Sequence, residues 1–110
     1  MLHQSYLAAV ERNVVCSPGF ASEPYEAAWA SEALFYVRAL DGGARDGDMS
    51  FVVEISPDGM RWVKHGSSGV LGAGEDMVAI GATHFGSWLR LRRTDSSAAT
   101  PKVIVYLDLK

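Results

Sequence analysis

From residue 31 to the end of the chain, apolar runs of seven to ten residues recur roughly every ten positions, each cut off by Gly, Asp, Ser or Pro. The runs are SEALFYVRAL (31–40), MSFVVEIS (49–56), MRWVKHG (60–66), EDMVAIG (75–81), FGSWLRLRR (85–93) and PKVIVYLDLK (101–110), with a seventh in RNVVCS (12–17). This rhythm predicts an all-β chain: an antiparallel β-sandwich of about seven or eight strands. The one helical candidate is QSYLAAVER (4–12), whose Ala, Leu and Glu favour helix. Nine residues are few for an independent helix, so at most a turn or two is expected there.

Alternation within the runs places apolar groups on both faces of several strands. In PKVIVYLDLK, Val103, Val105, Leu107 and Leu109 share one face, while Ile104 and Tyr106 take the other. SEALFYVRAL and MSFVVEIS behave alike, with Leu34 and Tyr36 opposing Phe35 and Val37, and Val52 opposing Phe51, Val53 and Ile55. A two-layer sandwich needs one apolar face per sheet. The second face therefore calls for cover by the N-terminal segment, by loops or by another subunit, and a homo-oligomer is the expectation.

The totals agree with one domain over residues 1–110 and exclude several classes. The chain has 110 residues, a formal net charge of −3 and 48 % hydrophobic residues, a globular profile without the cationic surplus that nucleic-acid binding requires. Cys16 is the sole cysteine, so no internal disulfide framework exists and a buried apolar role is expected. The N-terminus lacks the basic and apolar regions of a signal peptide, and no run approaches a membrane span. A soluble chain of the cytoplasm is the expectation, with a virion as the other location.

Between the second and third runs stands EISPDGMRW (54–62). Pro57 presets the first central residue of a type I turn, Asp58 tolerates the second, and Gly59 takes positive φ. A tight turn pairing Ser56 with Met60 would set Ile55 against Arg61 and Val53 against Val63, with Trp62 opposite Glu54. The pattern formed by Phe51, Val53, Ser56, Asp58, Gly59 and Trp62 resembles the central hairpin of discoidin domains, the C-type domains of coagulation factors. FGSWLRLRRT (85–94) is similar to their Arg-containing strand, so the resemblance covers the last two-thirds of the chain. It implies a galactose-binding-like jelly roll that binds ligands with loops at one end. The chain departs from such domains in its shorter length and its lack of bracketing cysteines. Small β-sandwich proteins of bacteria and phages carry similar Ser-Pro-Asp-Gly-x-x-Trp hairpins.

Catalytic chemistry finds little support in the sequence, and no enzyme is expected. His3, His65 and His84 are scattered without metal-ligand spacing, and Ser67 and Ser68 near His65 lack a nucleophile elbow. Asp41, Asp46 and Asp48 could contribute oxygens to calcium, but their loop lacks EF-hand spacing and no cofactor is expected. Trp88, Arg90 and Arg92 share one face, suited either to sugars and acidic groups or to a subunit contact. Strand direction puts the turns at 57–59 and 82–84 at one end and the loops 41–48, 67–74 and 94–100 at the other. The second end is the richer in Gly, Ser and Asp, so a ligand site is expected from Arg45, Asp46, Asp48, Ser67, Ser68, Thr94 and Asp95. An intersubunit surface is expected from Val52, Trp62, Trp88, Arg90, Arg92, Ile104 and Tyr106. These readings describe a non-catalytic, carbohydrate-binding-like module, or alternatively a structural subunit of phage or shell type that assembles with itself. An exposed tryptophan in a concave patch at the loop end would favour the first, and burial of all three tryptophans in core or interface the second.

Overall fold

The computed structural model describes residues 5–45 and 47–110, so His3 and Asp46 lie outside it. Among the described residues eight strands follow in chain order: β1 (Tyr6–Val15), β2 (Tyr25–Glu26), β3 (Glu32–Ala39), β4 (Met49–Ser56), β5 (Val63–Leu71), β6 (Met77–Thr83), β7 (Trp88–Arg93) and β8 (Lys102–Leu109). They form two four-stranded antiparallel sheets, ordered β1-β8-β3-β6 and β2-β7-β4-β5. Among the described residues only β4 and β5 are joined as a hairpin within one sheet; the other connections between these strands cross to the opposite sheet, which is the double Greek key of a jelly roll. The sandwich is the one expected from the spacing of the runs.

In β3, β4, β7 and β8 the odd-numbered residues face inward, whereas β6 buries its even-numbered Ile80 and Ala82. Phe35, Val37, Phe51, Val53, Leu89, Leu91, Val103, Val105, Leu107 and Leu109 are all buried between the sheets. Cys16 joins them, and burial pushes its thiol up to about 11, against the pull of the nearby Arg93 guanidinium. A thiol held protonated in this way is a packing residue rather than a nucleophile. Among the described residues no helix is long and apolar enough to cross a membrane.

Three local expectations are corrected. The segment predicted as a short helix is β1, a ten-residue strand paired with β8 from Tyr6↔Leu109 to Val15↔Lys102 through two irregularities, with Asn13 at φ 53°. Pairing there covers the edge of β8, a gain no nine-residue helix could match. The hairpin is wider than a tight turn: Ile55 pairs with Val63 and Glu54 with Lys64, so Trp62 lies in the loop instead of opposite Glu54. The reason is a local network. Ser56 Oγ accepts the amides of Asp58 (3.2 Å) and Gly59 (2.9 Å) and donates to Asp58 Oδ1, which accepts the amides of Met60 (2.9 Å) and Arg61 (3.0 Å). Those amides, with the Ser56 hydroxyl, hold the Asp58 carboxyl below the usual carboxylate range.

The third correction concerns β5, which extends through Ser67 and Ser68 to Leu71, leaving only 72–76 as the turn before β6. A bulge opposite Val53 carries β5 across the sandwich edge, where Gly69 faces Ile80 of β6. A Cβ on Gly69 would stand 2.6 Å from Ile80 Cγ1, so no larger residue fits without displacement.

Candidate functional site

The loop end of the sandwich holds 41–45, 47–48, 72–76 and 94–101, and several of its charged groups bond the protein itself. Arg45 is buried, and its guanidinium donates to Asp41 Oδ1 (3.0 Å) and to the carbonyls of Gly72 and Glu75 (both 2.7 Å). Gly43, at φ 88°, lies so close to the Gly74 backbone that a Cβ there would come within 2.6 Å of its carbonyl carbon. Asp48 accepts the Ala73 amide at 2.9 Å. Arg45, Asp41 and Asp48 thus lock one loop to another. Among the described residues no group of three or more His, Cys, Asp or Glu is placed to hold a metal ion.

Arg93, which the sequence reading did not single out, governs the third loop. It is fully buried and donates to Asp95 (3.0 and 2.9 Å) and to the carbonyls of Cys16, Ala99 (both 2.6 Å) and Ser97 (3.0 Å). Burial raises the Asp95 carboxyl, but Arg93 and the amides of Ser50 and Ser97 outweigh it and bring it down to about 2. Thr94 is exposed and pairs its backbone with Ser50. A hollow of about 640 Å³ lies among Asp41, Arg45, Gly47 and 97–101. Of the residues expected at this end, the structure brings together Arg45, Asp48, Thr94 and Asp95. Ser67 and Ser68 are elsewhere, on β5, where Ser67 Oγ lies 3.2 Å from His65 Nδ1 and the other ring nitrogen meets the Thr83 carbonyl.

The residues expected at a subunit contact divide between two faces. Val52, Trp88, Arg90 and Arg92 lie on the outer face of the β2-β7-β4-β5 sheet, whereas Ile104 and Tyr106 belong to the outer face of the other. The hairpin loop folds over part of the first face. Gly59 lies against the Trp88 ring, and Arg90 bonds Glu54 Oε1 at 2.7 Å while stacking 4.4 Å above the Trp62 ring. Trp62 and Trp88 are both half-buried as a result.

Trp29 is different. It stands in the turn between β2 and β3, at the end shared with the hairpin, and is 59 % exposed. Glu26 shapes that turn by accepting the Ala28 amide at 2.9 Å, while the Ala27 amide reaches the Ser87 carbonyl at 2.7 Å and the buried Ala27 side chain anchors it. Tyr25 of β2 lies 6.4 Å from Tyr6 of β1, ring to ring, tilted by 35°. Hydrogen bonding to Tyr6, with some burial, holds the Tyr25 phenol above its usual range. Tyr6, Pro24, Tyr25, Glu26 and Trp29 line a hollow of about 460 Å³. Aromatic faces beside a carboxylate and two phenols suit a ligand with apolar faces and hydroxyl edges. Sequence reading missed this shelf because it placed helix where β1 carries Tyr6; the signal was PYEAAW (24–29), two aromatic side chains within six residues that open on a proline.

The fold has known counterparts. The PBSX exported protein XepA superposes with a TM-score of 0.65 at 11 % identity, over 94 % of this chain and 36 % of its own. The SPBc2 prophage-derived protein YomS gives 0.64 at 7 %, over 96 % and 92 %. A family 35 carbohydrate-binding module from Clostridium thermocellum gives 0.51 at 14 %, over 97 % and 98 %. The chain thus spans about a third of XepA and nearly all of the other two, and at these identities the likeness is one of fold. No protein-family model and no curated protein matches the sequence.

Proposed function

We propose that the protein is a non-catalytic binding module that engages carbohydrate through Tyr6, Tyr25 and Trp29. The observation that carries this is the exposed indole of Trp29 at the mouth of a hollow whose other walls are tyrosine, proline and a carboxylate. An indole in water is costly, and the C–H face of a pyranose covers it while the ring's hydroxyls meet Glu26 and the phenols. The loops at the other end, 41–48, 72–76 and 94–101, carry no aromatic residue, and their Arg45, Asp48 and Asp95 are engaged with the protein's own backbone. The shared fold of the family 35 carbohydrate-binding module supports the same reading.

A glycan array followed by calorimetry on the best ligand tests it. Trp29→Ala is expected to weaken binding by about tenfold or more, as for a central aromatic anchor. Arg45→Met serves as the contrast at the loop end. Undiminished binding by the Trp29 variant, or no glycan bound at all, would overturn the proposal.

A further inference from the structure

The outer face of the β1-β8-β3-β6 sheet is polarised along its strands. Register places Glu32 and Leu34 of β3 beside Thr83 and Gly81 of β6, with Asp108 of β8 on the other side of Leu34. At mid-strand Tyr36 pairs with Tyr106 and with Ala79. Toward the loop end come Arg38, Ile104 and Lys102. One end thus carries Glu32 and Asp108 against a single Lys110, the other Arg38 and Lys102, with half-buried Leu34, Tyr36, Ile104 and Tyr106 between. Among the described residues no loop of this sheet is shown packed over that outer face, unlike the hairpin loop on the other sheet.

We propose that this face is a two-fold interface with a second copy of the chain. An axis lying between the two faces and crossing the strands at Tyr36 and Tyr106 sets β3 over β3 in opposite directions. Arg38 of one copy then descends on the acidic end of the other. A receptacle exists there: a hollow of about 430 Å³ lined by Glu32, Leu34, Tyr36, Gly81, Asp108 and further residues. Gly81, which has no side chain, lies beside Leu34 on its lining. Asp108 Oδ1 is closed off from solvent and accepts no hydrogen bond from the described residues. Buried carboxylate oxygens are ordinarily paired, and rotation of the carboxyl presents this one to an arriving guanidinium. Four strands about 4.8 Å apart and eight residues rising about 3.4 Å each make a face of about 500 Å². Two copies bury about 1,000 Å², the lower bound for a specific pair, so the dimer is weak and sensitive to salt.

Sedimentation velocity from micromolar to millimolar protein tests this, with thermal melts to confirm that each variant folds. Wild type is expected to pass from monomer to dimer. Arg38→Glu and Asp108→Arg should each weaken the dimer about tenfold or more, and the double variant should recover most of the loss because the swapped charges face each other again. Arg92→Glu, on the outer face of the opposite sheet, should leave the constant unchanged. A wild type that stays monomeric throughout, single reversals without effect, or a double variant as weak as the singles combined would overturn the proposal.

Discussion

Arg93 shows how one side chain organises a loop end. It follows Leu89 and Leu91 in phase on β7 and so enters the core, where a charge is tolerated only when paired and fully hydrogen-bonded. Asp95 and three carbonyls supply that pairing. The phase was visible in LRLRR, since the third Arg of that run shares parity with the two leucines while Arg90 and Arg92 do not. What parity could not show is that Asp95 would answer it. The pairing predicts a pH dependence. The folded Asp95 carboxyl sits at about 2, below its ordinary 3.8, so its contribution is fully present above about pH 4 and is lost as pH falls through 2. The amount is about 2 kcal/mol, the side chain being largely shielded from solvent. Urea unfolding of Asp95→Asn between pH 5 and pH 2 is expected to show a lower starting stability and a flatter decline than wild type; parallel curves would exclude the linkage.

The strands themselves show where sequence patterning is informative and where it fails. β4 occupies 49–56, the run as it reads in the sequence, because Met49, Phe51 and Val53 alternate cleanly into the core. β5 does not follow its run. Side-chain capping by Ser56 and Asp58 widens the turn, and the strand then continues through GSSGV, a stretch with no apolar periodicity to mark it. That stretch is shaped by what it must pass: Gly69 is flat because Ile80 of β6 fills the space where a side chain would go. Aromatic and apolar residues of β1 were misread for a related reason, since local helix propensity cannot register that β8 needs a partner along its edge. Gly69→Val is therefore expected to cost about 2 kcal/mol by overpacking. Combined with Ile80→Ala in a double-mutant cycle, much of that penalty should vanish. Additive costs would show that Gly69 is required for its backbone and not for the room it leaves.

At the scale of the whole molecule, the jelly roll separates two surfaces. The aromatic shelf sits at the hairpin end between the β1 and β2 edges, while the charge-polarised face spans the flat of one sheet. A two-fold axis across the strands turns the hairpin ends of two copies away from each other. With each copy up to 42 Å long, the two shelves stand at opposite ends of the pair, on the flank where the two β1 edges meet. Such a dimer carries two separated shelves and can link the chains of a polyvalent glycan, which a monomer with one shelf cannot do. The two surfaces are then separable by mutation. Trp29→Ala should weaken glycan binding about tenfold or more while leaving the dimer constant as in wild type. Arg38→Glu should retain the wild-type affinity for a monovalent ligand yet fail to precipitate a soluble polyvalent one, read as turbidity at matched protein concentration. Precipitation by Arg38→Glu equal to that of wild type would show that bridging, if it occurs, does not pass through this face. Loss of monovalent binding in the same variant would show instead that shelf and sheet face are one coupled site.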